Sequence, residues 1–90
     1  MTHTPVRRNL EKLLRLYNEM DAYQQANGYP PSLRDIMEMG YATTGSLVRY
    51  YYQEMTELGM MTYQPGIHRS ARLLPLNKAD ARIRKLARTK

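Results

Sequence analysis

Gly28-Tyr29-Pro30-Pro31-Ser32-Leu33-Arg34-Asp35-Ile36 holds a helix stop, a stiff turn and a helix start in immediate succession. Gly28 takes up the left-handed conformation that terminates a helix after Asn27. Pro30 and Pro31 keep the following residues extended. Ser32 is followed three residues later by Asp35, a capping-box arrangement with Asp in place of the usual Glu. A second helix therefore opens at this serine. It carries Leu33, Ile36 and Met37 on one side and ends at Gly40 after about two turns.

Upstream, Val6, Leu10, Leu13, Leu14, Tyr17, Met20 and Tyr23 or Gln24 recur at the spacing of one helical face. With Thr4 as a cap and Pro5 in the first turn, they predict helix 1 from about Pro5 to Asn27. Downstream, Tyr41 to Gly45 form a tight polar connection in which Thr43 or Thr44 can cap a third helix. That helix runs from about Gly45 to Leu58, with Val48, Tyr52 and Met55 on its inner face and Gly59 as its stop. The period then changes. Met60 to Gln64 and Arg72 to Leu76 read as strands joined through Pro65-Gly66 and a loop containing His68, Arg69 and Ser70. Asn77 can cap a last helical stretch, Lys78 to about Arg88, whose only large apolar residues are Ile83 and Leu86. Such a segment is too weakly amphipathic to fold alone.

The expected architecture is mainly α with a small β-hairpin: a winged helix-turn-helix of three helices plus a wing over residues 1–76, then a basic, helical C-terminal tail over residues 77–90. Ninety residues support one modest core, so function resides on a surface or in a single groove. Cysteine is absent, which removes disulfide frameworks and thiolate chemistry. Apolar runs are short, and Met1 to Arg8 lacks a signal-peptide core, so the expectation is a soluble cytoplasmic, nucleoid-associated protein with no membrane partner. The formal net charge is +6, distributed unevenly: six Lys/Arg face seven Asp/Glu through residue 65, and eight face one thereafter. A basic segment of this kind suits a polyanion, because neutralising phosphates releases condensed counterions. Its plainer alternative is a solvated tail that keeps the protein in solution.

Helix 3 has the dimensions for a DNA major groove about 12 Å wide, with helix 2 bracing it across the backbone. Its inward face is Val48, Tyr52, Met55 and Leu58, leaving Ser46, Leu47, Arg49, Tyr50 and Gln53 outward. Arg49 is the cation of that face and matches guanine O6 and N7 bidentately; its plainer reading is a solvated arginine. Of the consecutive tyrosines, Tyr52 is expected in the core and Tyr50 at the groove. Tyr51 is expected half-buried, near a phosphate or simply packed. Further backbone contacts fall to Ser32, Arg34 and Thr43, to the wing residues His68, Arg69 and Arg72, and to Lys78, Arg82, Arg84, Lys85, Arg88 and Lys90 of the tail.

Catalysis is not expected. His3 and His68 are far apart in sequence, and no HExxH, P-loop or GxSxG pattern occurs. Ser32 and Ser46 read as helix-start residues, Asp35 and Glu38 as a cap and a surface charge, and Met37, Met55 and Met61 as core. No cofactor, metal or small-molecule effector is implied.

The Gly28 to Ile36 stretch closely resembles the segment that opens helix 2 in the DNA-binding domain of LexA-type repressors. The likeness continues through Ser46-Leu47-Val48, Tyr52-Gln53-Glu54-Met55 and Leu58-Gly59 to Arg72-Leu73-Leu74, covering roughly residues 5–76. It implies a bacterial or phage sequence-specific regulator of transcription, a repressor binding double-stranded DNA as a homodimer, with base-reading positions on Thr44, Ser46, Leu47, Arg49 and Tyr50. Gly40 sits one residue earlier than the family's glycine, and the outward residues of helix 3 depart from the usual polar set, which implies a different operator. The family's self-cleaving C-terminal domain has no counterpart in these residues, so autocleavage is not carried over. A second reading from a different class is a winged-helix protein-interaction module, such as a phage adaptor, with only non-specific DNA affinity.

Overall fold

Leu10, Leu13, Leu14, Leu16 and Met20 form a fully buried stripe along helix α1, Arg7–Asn27, and the remaining elements are laid against it. The computed structural model describes residues 7–89; the expectations placed on His3, Thr4, Pro5, Val6 and Lys90 lie outside the described residues. Leu16 widens the apolar face beyond the stripe read from the sequence, because α1 is covered on more than one flank. Tyr17 is half-buried, and its hydroxyl donates to the Leu74 carbonyl at 2.7 Å, tying the helix to the chain that leaves the second strand.

Helix α2, Leu33–Glu38, begins with the expected capping box. The Ser32 Oγ accepts from the Asp35 backbone N–H at 3.1 Å, and the Asp35 carboxylate accepts from the Ser32 N–H at 2.9 Å. Gly40 turns the chain with φ +92°, a conformation that costs a side-chain-bearing residue steric strain. Thr44, rather than Thr43, caps helix α3, Gly45–Glu57: its Oγ1 accepts from the Leu47 N–H at 3.1 Å. Val48, Tyr51, Tyr52 and Met55 of α3 join Ile36 of α2 and the α1 stripe in one core. Met60 and Met61 fill it from below, and all of Met20, Met55, Met60 and Met61 are essentially inaccessible. Flexible thioethers suit such a small, irregular space.

The two strands are shorter than expected. Strand β1, Met61–Thr62, and strand β2, Arg72–Leu73, pair antiparallel with Met61 opposite Leu73 and Thr62 opposite Arg72. Beyond Thr62 the ladder gives way to a side chain: Ser70 Oγ accepts from the Gln64 N–H and donates to the Gln64 carbonyl, both at 2.9 Å. A local hydroxyl thus satisfies backbone groups that would otherwise extend the sheet. The result is a mainly helical domain with one small two-stranded sheet.

The C-terminal segment departs most from expectation. A 3₁₀ turn, Leu76–Lys78, is followed by helix α4, Ala81–Thr89, so the single stretch from Lys78 is broken in two. Asp80, not Asn77, supports the start of α4, its Oδ1 accepting from the Arg82 N–H at 2.9 Å. The Asp80 N–H in turn donates to Leu58 O at 2.8 Å, fastening α4 to the end of α3. Gly59 allows this approach, with φ +77° and its missing Cβ facing Ala79 Cα at 3.5 Å. Ala79, Ile83 and Leu86 are buried in the common core, and α4 packs on α1. The division at residue 76 is therefore corrected: α4 belongs to the domain, because two apolar residues one turn apart suffice once α1 supplies the opposing surface. Among the described residues no helix is long and apolar enough to cross a membrane. Replacing Ile83, which is 0% exposed, by Ala should lower unfolding free energy by about 2–5 kcal/mol in urea titrations. A change confined to α4, with the rest melting as before, would contradict its place in the common core.

Candidate nucleic-acid interface

The tight connection between α2 and α3 leaves one face of α3 uncovered. Ser46, Arg49 and Gln53 are exposed along it, while Leu47 and Tyr50 are half-buried and pack against the core. Arg49 folds back over the first turn of α3, where a Cβ on Gly45 would lie 3.8 Å from its Nη2. Gln53 Nε2 approaches the Glu57 carboxylate at 3.5 Å one turn further on. The face thus presents a hydroxyl and a guanidinium toward its N-terminal end, an amide past its middle and the Glu57 carboxylate at its C-terminal end. Thr43 and Thr44 are exposed at the start of the helix, although the Thr44 oxygen is already committed as the cap.

The three adjacent tyrosines separate as helical geometry requires. Tyr52 is buried as expected, in edge contact with Tyr63 at 5.2 Å between ring centroids. Burial pushes its hydroxyl well above the usual phenol range, and that hydroxyl has no hydrogen-bond partner among the described residues. Of the two alternatives for Tyr51 the structure shows the packed one, with the ring in the core. It is 8% exposed, and its hydroxyl accepts from Lys12 Nζ at 2.7 Å. The Lys12 ammonium also lies 4.8 Å from the Tyr51 ring centroid, a cation–π contact that fixes α3 on α1. Partial burial and the neighbouring Glu54 raise the Tyr50 hydroxyl, so it remains a neutral donor at ordinary pH.

Two further site expectations require correction. Ser32 is 7% exposed and engaged in the capping box, leaving little surface for an external partner. Arg69, expected as a free cation on the hairpin loop, is turned inward. Its Nη1 donates to the Pro30 carbonyl at 2.8 Å, to Asp35 Oδ2 at 3.2 Å and to the Tyr23 hydroxyl at 3.3 Å. Its guanidinium also covers the Tyr29 ring at 4.5 Å. Tyr23 donates to the same Asp35 oxygen at 2.9 Å and meets Tyr29 edge-on at 6.0 Å. This cluster locks the loop onto the α1–α2 junction, with Arg69 itself at φ +54°. Sequence reading identified Asp35 as a cap but not as the anchor for a residue 34 positions away. No local pattern marks that pairing.

With the loop fixed, a groove of about 340 Å³ opens between the hairpin and the N-terminal ends of α2 and α3. Arg34, Arg49, Tyr52, Tyr63, His68 and Ile67 contribute to its walls. Arg34 projects outward with its side chain 87% exposed and a loose 3.7 Å pairing to Glu38, while His68 and Arg72 are exposed on the hairpin. Arg34, Arg49 and His68 set two guanidinium groups and an imidazole around this groove, while Arg72 lines a second recess shared with Asp21, Gln24 and Gln25 of α1. Lys78, Arg82, Arg84, Lys85 and Arg88, expected as further backbone contacts, line no part of this groove and are exposed on the 3₁₀ turn and α4 instead; Arg82 is held by Asp80 at 3.0 Å. Among the described residues no group of three His, Cys, Asp or Glu side chains could hold a metal ion. No protein-family model, curated protein or solved structure matches the chain.

The backbone N–H of Ser32, and with it the Tyr23 hydroxyl and the Arg69 guanidinium, hold the Asp35 carboxyl below its ordinary value of 3.8. Its folded-state value being depressed, the stabilisation is complete above that pH and is lost as pH falls through the folded value. Thermal midpoints should therefore decline below pH 3.8, and Asp35→Asn should flatten that part of the profile. An unchanged profile would remove the carboxylate from its assigned anchoring role. At the groove, Tyr52→Phe deletes a buried hydroxyl without a partner, so stability should stay level or rise by about 1 kcal/mol. A clear loss of stability would mean that the hydroxyl makes a bond essential to the fold.

Proposed function

We propose that this domain is a winged helix-turn-helix that binds double-stranded DNA, with α3 in the major groove and the hairpin as the wing along the backbone. The observation that carries the reading is the uncovered polar face of α3, Ser46, Arg49 and Gln53, flanked by Arg34 on one side and by the anchored hairpin with His68 on the other. A helix presented in this way fits the major groove, and the flanking hydrogen-bond donors fit phosphates on either side. The likeness of Gly28 to Ile36 and of the later segments to LexA-type repressors supports the same assignment.

On this reading Arg49 reads a base edge, with Ser46, Tyr50, Gln53 and the half-exposed Leu47 beside it. Arg34, Thr43, His68 and Arg72 position the domain on the backbone. One domain covers few base pairs, so two copies on a palindromic site make a regulator, a repressor by its likeness to that family. The role assigned is binding, not catalysis. A second reading, a protein-docking module, draws support from Ile67, 59% exposed at the hairpin loop, and Tyr29, 45% exposed beside it.

Selection from a random duplex library at two salt concentrations separates the two. DNA recognition yields a motif with an affinity well above that for random duplex, whereas a docking module yields no motif and only a weak, sequence-independent affinity that salt removes. Arg49→Ala should cost roughly 1–3 kcal/mol of discrimination at one position of that motif while leaving non-specific binding nearly intact. An equal loss on every sequence would reassign Arg49 to the backbone.

A further inference from the structure

Helix α4 carries a second cationic face, and its placement does not suit the duplex assigned to α3. Arg84, Lys85 and Arg88 lie within about 100° of arc on α4, diametrically opposite the buried pair Ile83 and Leu86. All three are exposed and close no salt bridge among the described residues, unlike Arg82, which is paired with Asp80.

Two contacts on α1 seat α3 and the chain that leads toward α4. Lys12 meets Tyr51 of α3, and Tyr17 meets the Leu74 carbonyl on the chain leading to α4. Five residues along a helix amount to a rotation of about 140°, so α3 and the outgoing chain occupy different flanks of α1. The basic face of α4 turns away from α1, and α4 begins against the C-terminal end of α3, beyond Glu57, rather than beside the N-terminal half that carries Ser46 and Arg49. Acidic groups also separate them: Glu57 is exposed near the C-terminal end of α3, and Asp80 stands where α4 joins it. A duplex with a persistence length of about 50 nm does not wrap a body measuring 33 × 29 × 22 Å to reach both faces.

We propose that the Arg84–Lys85–Arg88 face binds the phosphate backbone of a second DNA duplex, so that one copy of the domain bridges two segments of DNA. The inference rests on the DNA-binding reading of α3 and adds a second, sequence-independent contact. Charge complementarity selects the occupant: three exposed cations on one helix face, with Ala81 the only apolar side chain in their arc and Asp80 drawing on Arg84 alone, fit a polyanion rather than an apolar protein groove.

The test is capture of a fluorescent duplex by a bead-bound duplex in the presence of the full chain. Wild type should capture the second duplex. Arg84→Gln/Lys85→Gln/Arg88→Gln should reduce capture by about tenfold or more while leaving binding to a single duplex within about twofold. The double variant Lys85→Gln/Arg88→Gln, nearer the end of α4, serves if the triple variant melts early. Binding of one duplex without capture of another overturns the bridging proposal and leaves the α3 reading standing. Capture that persists in the variants shows bridging through paired copies and also overturns it, as does binding of the α4 face to anionic lipid vesicles with no duplex captured. Failure to bind any duplex removes the α3 reading itself.

Discussion

One carboxylate oxygen, Asp35 Oδ2, accepts from the backbone of Ser32, the hydroxyl of Tyr23 and the guanidinium of Arg69. Those donors come from the α1–α2 junction, from α1 and from the hairpin loop, so a single anion joins three parts of the chain that would otherwise move separately. Charge-assisted hydrogen bonds are stronger and more directional than neutral ones, and this site is partly shielded, with the two ion-pair side chains 30% and 23% exposed. The groove beside α3 exists because this junction holds the loop at a fixed distance from the helix. Its polar walls are a consequence of the anchoring.

The core obeys a different constraint. A domain this small buries too little surface to waste any, and α1 answers by being covered on more than one flank. The Lys12 contact with Tyr51 seats α3 on one flank, and the Tyr17 bond to Leu74 seats the chain toward α4 on another. Methionines occupy the space where these flanks meet the short sheet. The sheet contributes little hydrogen bonding itself, being two residues per strand, so the hairpin depends on Ser70 and Arg69 for its shape.

This division of labour bears on the proposed recognition of DNA. The proposed reading helix is held from behind by its buried Val48, Tyr51, Tyr52 and Met55, while the polar groups of Arg49 and Gln53 remain outside. The proposed wing is tied down before any partner arrives, which lowers the ordering cost of binding. The acidic end of α3 sets a limit to the favourable surface, and the two cationic regions fall on either side of it.

Local chemistry made much of this legible in the sequence. The Ser32–Asp35 capping box, the Thr44 cap, the glycine stops at Gly28, Gly40 and Gly59 and the helical spacing of Val48, Tyr52 and Met55 depend on neighbours a few residues apart, and such interactions are written in order along the chain. Exposure of Ser46, Arg49 and Gln53 followed from the same periodicity. Tertiary structure alone decided that Arg69 turns inward to Asp35, that Tyr51 accepts from Lys12 and that α4 is part of the core. Each of these rests on a partner distant in sequence whose nearness is created by the packing of α1. Ile83 and Leu86 are too few to signal a buried helix by themselves, and they became decisive only when α1 offered them an apolar surface to cover.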